Sequence, residues 1–229
     1  MKVNIIVPVF NEEKTLGLVL TKLKQLDLRR LEVKKEIVVV NDGSTDGSKK
    51  ILSGIKGIKL FNHSSNKGKG AAVKTGISSS NGEIIIIQDA DLECNPKYIP
   101  FILEPIVKGK SEIVYGSRFL KEGNKQVVLF HEFGNIFLSF ATSFLYNSKI
   151  TDMETGYKAF KRTALDGITL KARGFDFEPE ITSKFLKKGL SIKEIPVVSS
   201  SRTYKEGKKI TAIDGIKALL LMIKFKFTD

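Results

Sequence analysis

Residues 84–91 read IIIIQDAD, an unbroken apolar run that ends in two carboxylates one residue apart. Four consecutive isoleucines show no alternation of polar and apolar positions, which is typical of a strand buried on both faces. Asp89 and Asp91 would then lie at the carboxyl end of that strand. Open α/β sheets bind ligands in the crevice outside their strand carboxyl ends. The segment therefore predicts an α/β fold with a ligand site at this edge of the sheet.

Similar apolar runs alternate with helical patterns through the first half of the chain. The predicted strands are Val3–Val9, Glu36–Val40, Ile58–Phe61, Glu83–Ile87 and Glu112–Tyr115, and helical stretches begin near Glu12, Thr45, Lys69 and Pro96. This β-α-β-α order predicts a doubly wound architecture with a mainly parallel sheet. After about Gly123 we predict a Phe-rich helix, a strand over Tyr157–Phe160, a helix over Phe177–Lys187, a strand over Ser191–Val197 and a C-terminal helix.

Length and charge set limits on the class of protein. A chain of 229 residues is long enough for one domain with a substantial core. The formal charge of +13 favours phosphates, nucleic acid or an anionic membrane leaflet as partners. A nucleic-acid-binding module is disfavoured because no aromatic-basic recognition motif is found. Cys94 has no second cysteine to pair with, and the sequence MKVNIIVPVF leads directly into a strand, so we expect a cytoplasmic protein.

The Asp89 and Asp91 pair is the strongest local signal for chemistry. Mg²⁺ and Mn²⁺ prefer carboxylate oxygens, and a cation gripped there would keep open positions for the phosphates of a diphosphate leaving group. Glu93, two residues further on, is the candidate third ligand. The alternative is that the two aspartates only cap the following helix or form a turn.

Three further motifs give this pair a context: PVFNEE at 8–13, VNDGSTDG at 40–47 and NKGKG at 66–70. Together they resemble glycosyltransferase family 2, whose members have the GT-A-type, Rossmann-like nucleotide-sugar fold. The segments GSRF at 116–119, TDMETGYK at 151–158 and RTY at 202–204 resemble the polyprenyl-phosphate mannose and glucose synthases of that family, over nearly the whole chain. The NKGKG segment completes neither a Walker A loop nor a dinucleotide fingerprint, so an ATPase and a dehydrogenase are disfavoured.

The resemblance implies an inverting enzyme that moves glucose or mannose from UDP-glucose or GDP-mannose to a polyprenyl phosphate, with Mg²⁺ or Mn²⁺ as cofactor. Within a single domain, residues 1–120 would bind the nucleotide sugar and residues 121–229 would face the acceptor and the membrane. A polyprenyl phosphate is already ionised at neutral pH, so Asp152 is assigned to holding sugar hydroxyls or orienting the reaction rather than to removing a proton. The alternatives are a turn-capping role for Asp152 and a family 2 enzyme that uses a glycan or other hydroxyl acceptor.

The resemblance also implies the residues of the site. Pro8, Asn11, Glu12 and Asp42 would line the nucleoside pocket, although helix capping is an open alternative for Asn11. Arg118, Arg202 and Lys208 would bind the donor diphosphate and the acceptor phosphate, with surface charge as the alternative. His131 stands where the family often has an arginine that contacts the acceptor phosphate, which leaves the acceptor open. The full prediction is Asp91, Asp152 and Arg202 as catalytic residues, Asp89, Asp91 and Glu93 as metal ligands, and Pro8, Asn11, Glu12, Asp42, Lys69, Asp89, Ala90, Arg118, His131 and Lys208 as substrate-binding residues.

Two helices are candidates for contact with a membrane. Phenylalanines at 130, 133, 137, 140 and 144 recur at spacings of three and four, which places an aromatic stripe on one face of a helix, opposite His131, Asn135, Ser139 and Thr142. Core packing and an interfacial helix are both consistent with this stripe. The lysine-bearing, amphipathic segment Ile210–Phe227 suits a membrane surface, and charged or polar residues interrupt both segments before the ~20 apolar residues that a span needs. We therefore expect peripheral binding at the inner face of the membrane.

Overall fold

Seven strands form one sheet in a computed structural model, which describes residues 1–120, 130–199 and 212–228 and gives side chains from 134 and from 215 onwards in the last two ranges. The strands are β1 (Lys2–Val9), β2 (Lys34–Asn41), β3 (Lys59–Asn62), β4 (Ile84–Ile87), β5 (Ile113–Ser117), β6 (Lys158–Lys161) and β7 (Ile192–Pro196). They lie in the order β3-β2-β1-β4-β6-β5-β7.

The sheet is mainly parallel, as the sequence predicted. Strand β1 pairs in parallel with β2 and β4, β2 with β3, and β5 with β7. Strand β6 is the exception, since it runs antiparallel between β4 and β5. This strand carries the chain from the second half back into the middle of the sheet, next to the strand that precedes Asp89 and Asp91.

Seven helices accompany the strands within the described residues. They are α1 (Leu16–Gln25), α2 (Ser48–Ser53), α3 (Lys69–Ser78), α4 (Ile99–Val107), α5 (Phe130–Tyr146), α6 (Phe177–Lys187) and α7 (Ala212–Phe227). Helix α1 begins four residues later than the expected start near Glu12. Asn11, just before the expected start, has a left-handed φ of 55°.

Strand β4 is buried on both faces, as its isoleucines predicted. Ile84 and Ile86 pack into one core cluster with α1 and α4, whereas Ile85 and Ile87 pack into a second one with α3 and α6. Full burial of an isoleucine side chain contributes about 1.5–3 kcal/mol. The strand that leads to Asp89 is therefore held rigidly between two layers of helices.

Helix α5 turns its polar side inward and its aromatic side outward. Ser139 and Thr142 are buried, whereas Phe137, Phe140 and Phe144 are 56%, 68% and 80% exposed. The core interpretation of the phenylalanine stripe therefore does not hold for these three residues, because the helix is anchored by its polar face. The side chains of Phe130 and Phe133 lie outside the described residues.

Helix α7 packs beside α5 and also exposes apolar side chains. Leu138 of α5 and Met222 of α7 belong to a small shared core cluster. On the outer side of α7, Ile216, Leu220 and Phe227 are exposed. Of the helices that the structure describes, none has the length and hydrophobicity to cross a bilayer. We call the exposed side chains of Phe137, Phe140, Phe144, Ile216, Leu220 and Phe227 the apolar face.

Candidate active site

Polar residues follow β1, β2 and β4, which are neighbours in the sheet. Asn11 and Glu12 come after β1, Asp42 follows β2, and Asp89 and Asp91 follow β4. These strands are parallel, so their carboxyl ends meet at one edge of the sheet. The structure thus brings the predicted polar residues of the first half to the same edge, where α/β sheets bind ligands.

Asn11 ties the loop after β1 to the loop after β2. Its Oδ1 accepts a hydrogen bond from the backbone N–H of Thr45 at 2.8 Å, and its own backbone N–H donates to Ser44 Oγ at 3.1 Å. The residue at the start of α1 is Thr15, so Asn11 does not cap that helix. Glu12 donates its backbone N–H to Ser48 Oγ at 3.0 Å. Pro8 lies near the end of β1, in register with Val40 of β2, and is partly buried.

The Asp42 carboxylate is buried and already fastens a loop of the protein. Its Oδ1 lies 2.6 Å from His63 Nδ1 and accepts from the backbone N–H of Lys67 at 2.9 Å, while Oδ2 accepts from the backbone N–H of Gly68 at 2.8 Å. His63 Nε2 in turn lies 2.9 Å from Thr75 Oγ1. A contact of Asp42 with a nucleoside stays a prediction, since its described bonds all go to the chain itself.

Gly68 allows this loop to approach the segment before α6. Its φ of 97° is in the region that favours glycine, and a Cβ there would come within 2.3 Å of the Arg173 carbonyl oxygen. Hydrogen bonds from Gly70 N to Gly174 O and from Ala71 N to Arg173 O join the first turn of α3 to the segment before α6. The NKGKG motif thus serves to pack α3 against the second half of the chain.

Lys69, the first residue of α3, bridges two acidic side chains. Its Nζ lies 2.9 Å from Asp89 Oδ1 and 3.0 Å from Oδ2, and 2.8 Å from Glu178 Oε1 of α6. Burial by itself would lower the pKa of this lysine, but Asp89 and Glu178 raise it above its usual range. Lys69 is therefore a permanent cation at the carboxyl end of β4, between the two halves of the sequence.

Asp89 and Asp91 offer the hard oxygen ligands that Mg²⁺ or Mn²⁺ prefers. Asp89 Oδ1 and Oδ2 contact Lys69, and Asp91 Oδ1 accepts from the backbone N–H of Glu93 at 3.1 Å. In the parts of the chain that the structure describes, no three histidine, cysteine, aspartate or glutamate residues gather into a metal site. The donor chemistry of the two aspartates fits a divalent cation, with Lys69 as a competing cation. Ala90 is buried in the core, which leaves only its backbone for a substrate.

Arg118 and Asp152 form a bidentate ion pair. Arg118 follows β5, and Asp152 precedes β6, the strand that pairs with β4. Arg118 Nη2 donates to Asp152 Oδ1 at 2.6 Å, and Nε donates to Oδ2 at 2.7 Å. The backbone N–H of Arg118 also donates to Oδ2 at 3.0 Å. Asp152 is fully buried, and its charge raises the pKa of Arg118 despite the opposing effect of burial. The carboxylate thus serves the arginine rather than capping a turn of its own segment.

The segment that carries Asp152 is held by hydrogen bonds to residues of β7 and α5. The Glu194 carboxylate of β7 accepts the backbone N–H groups of Thr151 and Asp152, both within 3.0 Å, and Ser139 Oγ of α5 accepts that of Met153 at 2.9 Å. Gly156 lies directly against the other carboxylate, because a Cβ there would come within 2.0 Å of Asp89 Oδ2. The segment that carries Asp152 therefore reaches Asp89 through Gly156, four residues further along the chain.

Two charged groups near this segment have displaced pKa values. Burial, followed by the charge of Glu178, raises the pKa of Glu154 to about 7. Burial lowers the pKa of Lys158 to about 8, although Glu178 and Glu154 oppose that effect. Lys158 Nζ donates to the carbonyl oxygens of Met153 and Thr155, so it also braces the loop that carries Glu154. Perturbed pKa values of this kind are a feature of functional sites.

Several predicted residues are not placed. Arg202, Lys208 and the side chain of His131 lie outside the described residues. In contrast, Glu178, Glu154, His63 and Glu194 belong to the site although the sequence analysis gave them no role. Glu178 carried only a weak signal, since an acidic residue in the first turn of a helix is also favoured by the helix dipole. The partner of His63 could not be read from sequence.

The family model described as Glycosyl transferase family 2 matches residues 4–169, from β1 through β6. The chain belongs to glycosyl transferase family 2. The match includes the ends of β1, β2 and β4 and the Arg118–Asp152 pair. The resemblance inferred from the motifs is thereby confirmed.

Three archaeal relatives extend over most of this family 2 chain. An uncharacterized protein of Methanocaldococcus jannaschii is 32% identical, with 97% of this chain and 91% of the relative covered. The UDP-N-acetylglucosamine–dolichyl-phosphate N-acetylglucosaminyltransferase of Methanococcus voltae is 28% identical, with 96% and 95% covered. The dolichol-phosphate mannosyltransferase of Pyrococcus furiosus is 29% identical over 91% of this chain, which spans only 59% of that relative.

Solved structures of similar shape confirm the fold. Glucosyl-3-phosphoglycerate synthase from Mycobacterium tuberculosis, crystallised with Mn²⁺, UDP and phosphoglyceric acid, has a TM-score of 0.73 at 17% identity. The alignment covers 100% of this chain and 79% of that one. The GT-A-type architecture expected for a family 2 member is therefore present along the aligned chain, with the acidic residues after β4 at the edge described above.

Proposed function

We propose that this chain is an inverting hexosyltransferase, which moves glucose or mannose from UDP-glucose or GDP-mannose to a polyprenyl phosphate at the cytoplasmic face of a membrane. Membership of glycosyl transferase family 2 supports sugar transfer. Two relatives that match nearly all of this chain are named for dolichyl or dolichol phosphate, which supports the acceptor class. Their names differ in the sugar, so the donor is the part of the proposal that most needs an assay.

The observation that carries the lipid acceptor is the position of helix α5. On the inner face of this helix, Ser139 Oγ accepts a hydrogen bond from the backbone N–H of Met153, next to Asp152. Phe137 and Phe140 are exposed on its outer face. A single helix therefore separates Asp152 from the apolar face. If the lipid chain of the acceptor lies in a membrane at the apolar face, its phosphate has to reach across only the ~10 Å width of one helix to approach Asp152.

The Arg118–Asp152 pair favours an acceptor that needs no base. Asp152 accepts three hydrogen bonds from Arg118, so both of its carboxylate oxygens are already engaged by the arginine. An acceptor hydroxyl would have to lose a proton, whereas an acceptor phosphate is ionised at neutral pH. Direct attack by a phosphate oxygen on the anomeric carbon, with departure of the nucleoside diphosphate, gives inversion in one displacement.

The end of β4 provides the place for the leaving diphosphate. Asp89 and Asp91 would hold the Mg²⁺ or Mn²⁺, whose charge would neutralise the diphosphate as its bond to the sugar breaks. Lys69 adds a fixed positive charge between Asp89 and Glu178. As a buried cation held by two carboxylates, it limits the repulsion between Asp89 and a diphosphate even before the leaving group departs.

Exposed lysines accompany the apolar face. Lys217, Lys224 and Lys226 of α7 are exposed on the same helix as Ile216, Leu220 and Phe227. Apolar side chains flanked by lysines are the pattern of a helix that lies in the interface of an anionic membrane. This arrangement supports peripheral association beside the acceptor.

The test is transfer from a donor panel to matched lipid acceptors. UDP-glucose, GDP-mannose and UDP-N-acetylglucosamine are each offered to undecaprenyl phosphate and to the corresponding alcohol, undecaprenol, with a soluble oligosaccharide as a third acceptor. We expect one donor to give a lipid-phosphate-linked sugar whose anomeric configuration, measured by NMR, is opposite to that of the donor. Transfer to the alcohol or the oligosaccharide, without transfer to the phosphate, would replace this proposal by a hydroxyl-directed family 2 enzyme.

A further inference from the structure

Two buried carboxylate oxygens near the site have no hydrogen-bond partner within the described residues. They are Glu154 Oε1, in the loop before β6, and Glu178 Oε2, in the first turn of α6. A buried acceptor without a donor is unfavourable, and such groups in native proteins call for an explanation, such as a missing ligand. The neighbouring glutamate on α6 shows the ordinary case, because Glu180 accepts from Lys171 N, Ala172 N and Lys184 Nζ.

Both glutamates interact with charged residues of the site. Glu178 uses its other oxygen to bind Lys69, which contacts Asp89. Glu154 stands between Asp152 and Gly156, and its charge interacts with Glu178 and Lys158 as well as with Arg118. Glu178 is thus joined through Lys69 to the proposed diphosphate end at Asp89, and Glu154 lies two residues from Asp152 at the proposed acceptor end.

The chemistry of these oxygens selects the kind of ligand. A phosphate is excluded because two carboxylates would repel it. A metal ion lacks a three-ligand group among the described residues, and Lys69 and Lys158 already supply positive charge to the two glutamates. A neutral molecule with several O–H donors satisfies both oxygens. In the proposed function, which this inference presupposes, the group that must sit between the diphosphate and the acceptor is the transferred sugar.

We propose that Glu154 Oε1 and Glu178 Oε2 accept hydrogen bonds from two different hydroxyl groups of the transferred sugar, and so determine which sugar is used. The two glutamates lie on different elements, the loop before β6 and helix α6, so each would contact a different hydroxyl group. Buried acceptors of this kind reject a sugar that lacks the matching hydroxyl, since the acceptor is then left unpaired in a site closed to water.

The experiment pairs enzyme variants with deoxy donors. The probes are UDP-glucose and GDP-mannose, whichever the wild-type protein uses, together with their 3-, 4- and 6-deoxy analogues. In the wild type, removal of a hydroxyl that meets one of these glutamates should lower kcat/KM by about 10- to 150-fold, the range for one hydrogen bond to a charged group. In Glu154→Met, the loss at one position should shrink to within about threefold while losses at the other positions persist. Glu178→Gln should do the same at a different position.

Three controls separate this role from a structural one. Glu180→Gln changes a buried, fully partnered glutamate on the same helix, so it should lower the melting temperature and leave every deoxy ratio unchanged. Binding of UDP or GDP alone, measured by calorimetry, should be equal in wild type and Glu154→Met, because these nucleotides carry no sugar. If Glu154→Met does not fold, Glu154→Gln keeps the shape and should reduce the same ratio by a smaller factor.

The outcomes for the two proposals are distinct. Deoxy ratios that stay within about twofold of the wild type in both glutamate variants would overturn the sugar-binding role, while wild-type transfer would leave the proposed function intact. Failure of the wild-type protein to bind or use any nucleotide sugar would overturn the proposed function itself. A loss shared by UDP or GDP binding would assign Glu154 to the nucleotide instead of the sugar.

Discussion

The end of β2 and the Glu154–Glu178 pair are both buried and acidic, yet they are completed in different ways. At the end of β2, the Asp42 carboxylate receives hydrogen bonds from His63, Lys67 and Gly68 of the chain itself. Glu154 and Glu178 each keep one oxygen without a partner among the described residues. The hydrogen bonds of the first region are complete when the chain folds, whereas those of the second would be completed by the ligand proposed above. Substitutions should therefore lower stability in the first region, whereas around the second they should lower turnover without lowering stability.

Removal of divalent cations should have the largest effect. Because Asp89 and Asp91 provide hard oxygen ligands beside the proposed diphosphate site, we expect excess EDTA to lower turnover by at least about 100-fold. Added Mg²⁺ or Mn²⁺ should restore it, and the melting temperature should hardly change, since Lys69 already balances Asp89. Full turnover in excess chelator would show that basic residues alone neutralise the leaving group.

Asp91→Asn should come next. Loss of one strong electrostatic contact in a transition state lowers kcat by about 100- to 1,000-fold, and Asp91 is not part of the core, so the fold should persist. Steady-state kinetics together with circular dichroism would check this. Asp27→Asn is the matched control, because Asp27 is exposed and pairs with the exposed Arg29. A folded Asp91→Asn variant with a near-normal rate would remove Asp91 from the site.

Asp42→Asn should instead act on stability. An amide in place of the carboxylate loses charge and leaves at least one of the donors at His63, Lys67 and Gly68 poorly matched, which costs about 2–3 kcal/mol. Urea unfolding would measure the loss, again beside Asp27→Asn. A variant as stable as the wild type but unable to bind nucleotide would move Asp42 from the completed region to the ligand-binding one.

Glu154→Gln should change stability in the opposite direction, and only at higher pH. Burial raises the pKa of Glu154 to about 7, so in the wild type its contribution to stability is present below the unfolded pKa near 4.5 and is lost as the pH rises through 7. The variant should gain about 1–3 kcal/mol relative to wild type at pH 8 compared with pH 5. Glu104→Gln, on an exposed helix surface, should show no gain at pH 8. An equal difference at both pH values would mean that Glu154 is not held in this buried state.

The apolar face should give the smallest effect. Phe137→Ser combined with Phe140→Ser should weaken binding to anionic vesicles about tenfold, because exposed phenylalanines contribute only when a membrane covers them. The melting temperature should stay near that of the wild type. High salt should release much of the wild-type protein, since it screens the lysines. Leu138→Ala, in the buried face of α5, is the contrasting control and should lower the melting temperature. Unchanged vesicle binding by a folded double variant would exclude this part of the face.

Sequence patterns predicted the sheet better than they predicted the partners within the site. All seven strands lie within a few residues of the predicted runs, because buried strands are local and apolar. The antiparallel insertion of β6 between β4 and β5 was not predicted, since strand order depends on long-range pairing. The same holds for Lys69 with Glu178, which are brought together only when α3 and α6 pack on one face of the sheet.

Helix α5 shows a different limit of sequence reasoning. Its periodicity correctly indicated an amphipathic helix with aromatic and polar faces, but periodicity does not say which face meets the protein. The answer came from hydrogen bonds of Ser139 and Ser143 to the loop at 150–153, which satisfy polar groups inside. The outward phenylalanines are therefore explained by contacts that span seven and 14 positions in sequence rather than by their own spacing.

The link between α5 and Asp152 has a consequence for attempts to exchange acceptor specificity by chimaera construction. The helix and the following loop share hydrogen bonds through Ser139 to Met153 and through Ser143 to Ile150, so they form one graftable module. A helix transplanted from another family member without its own loop would leave these backbone groups unpaired and shift the aspartate. Recombination boundaries placed before Phe130 and after Met153 would keep the module whole, so the helix and its loop would be exchanged together as one segment.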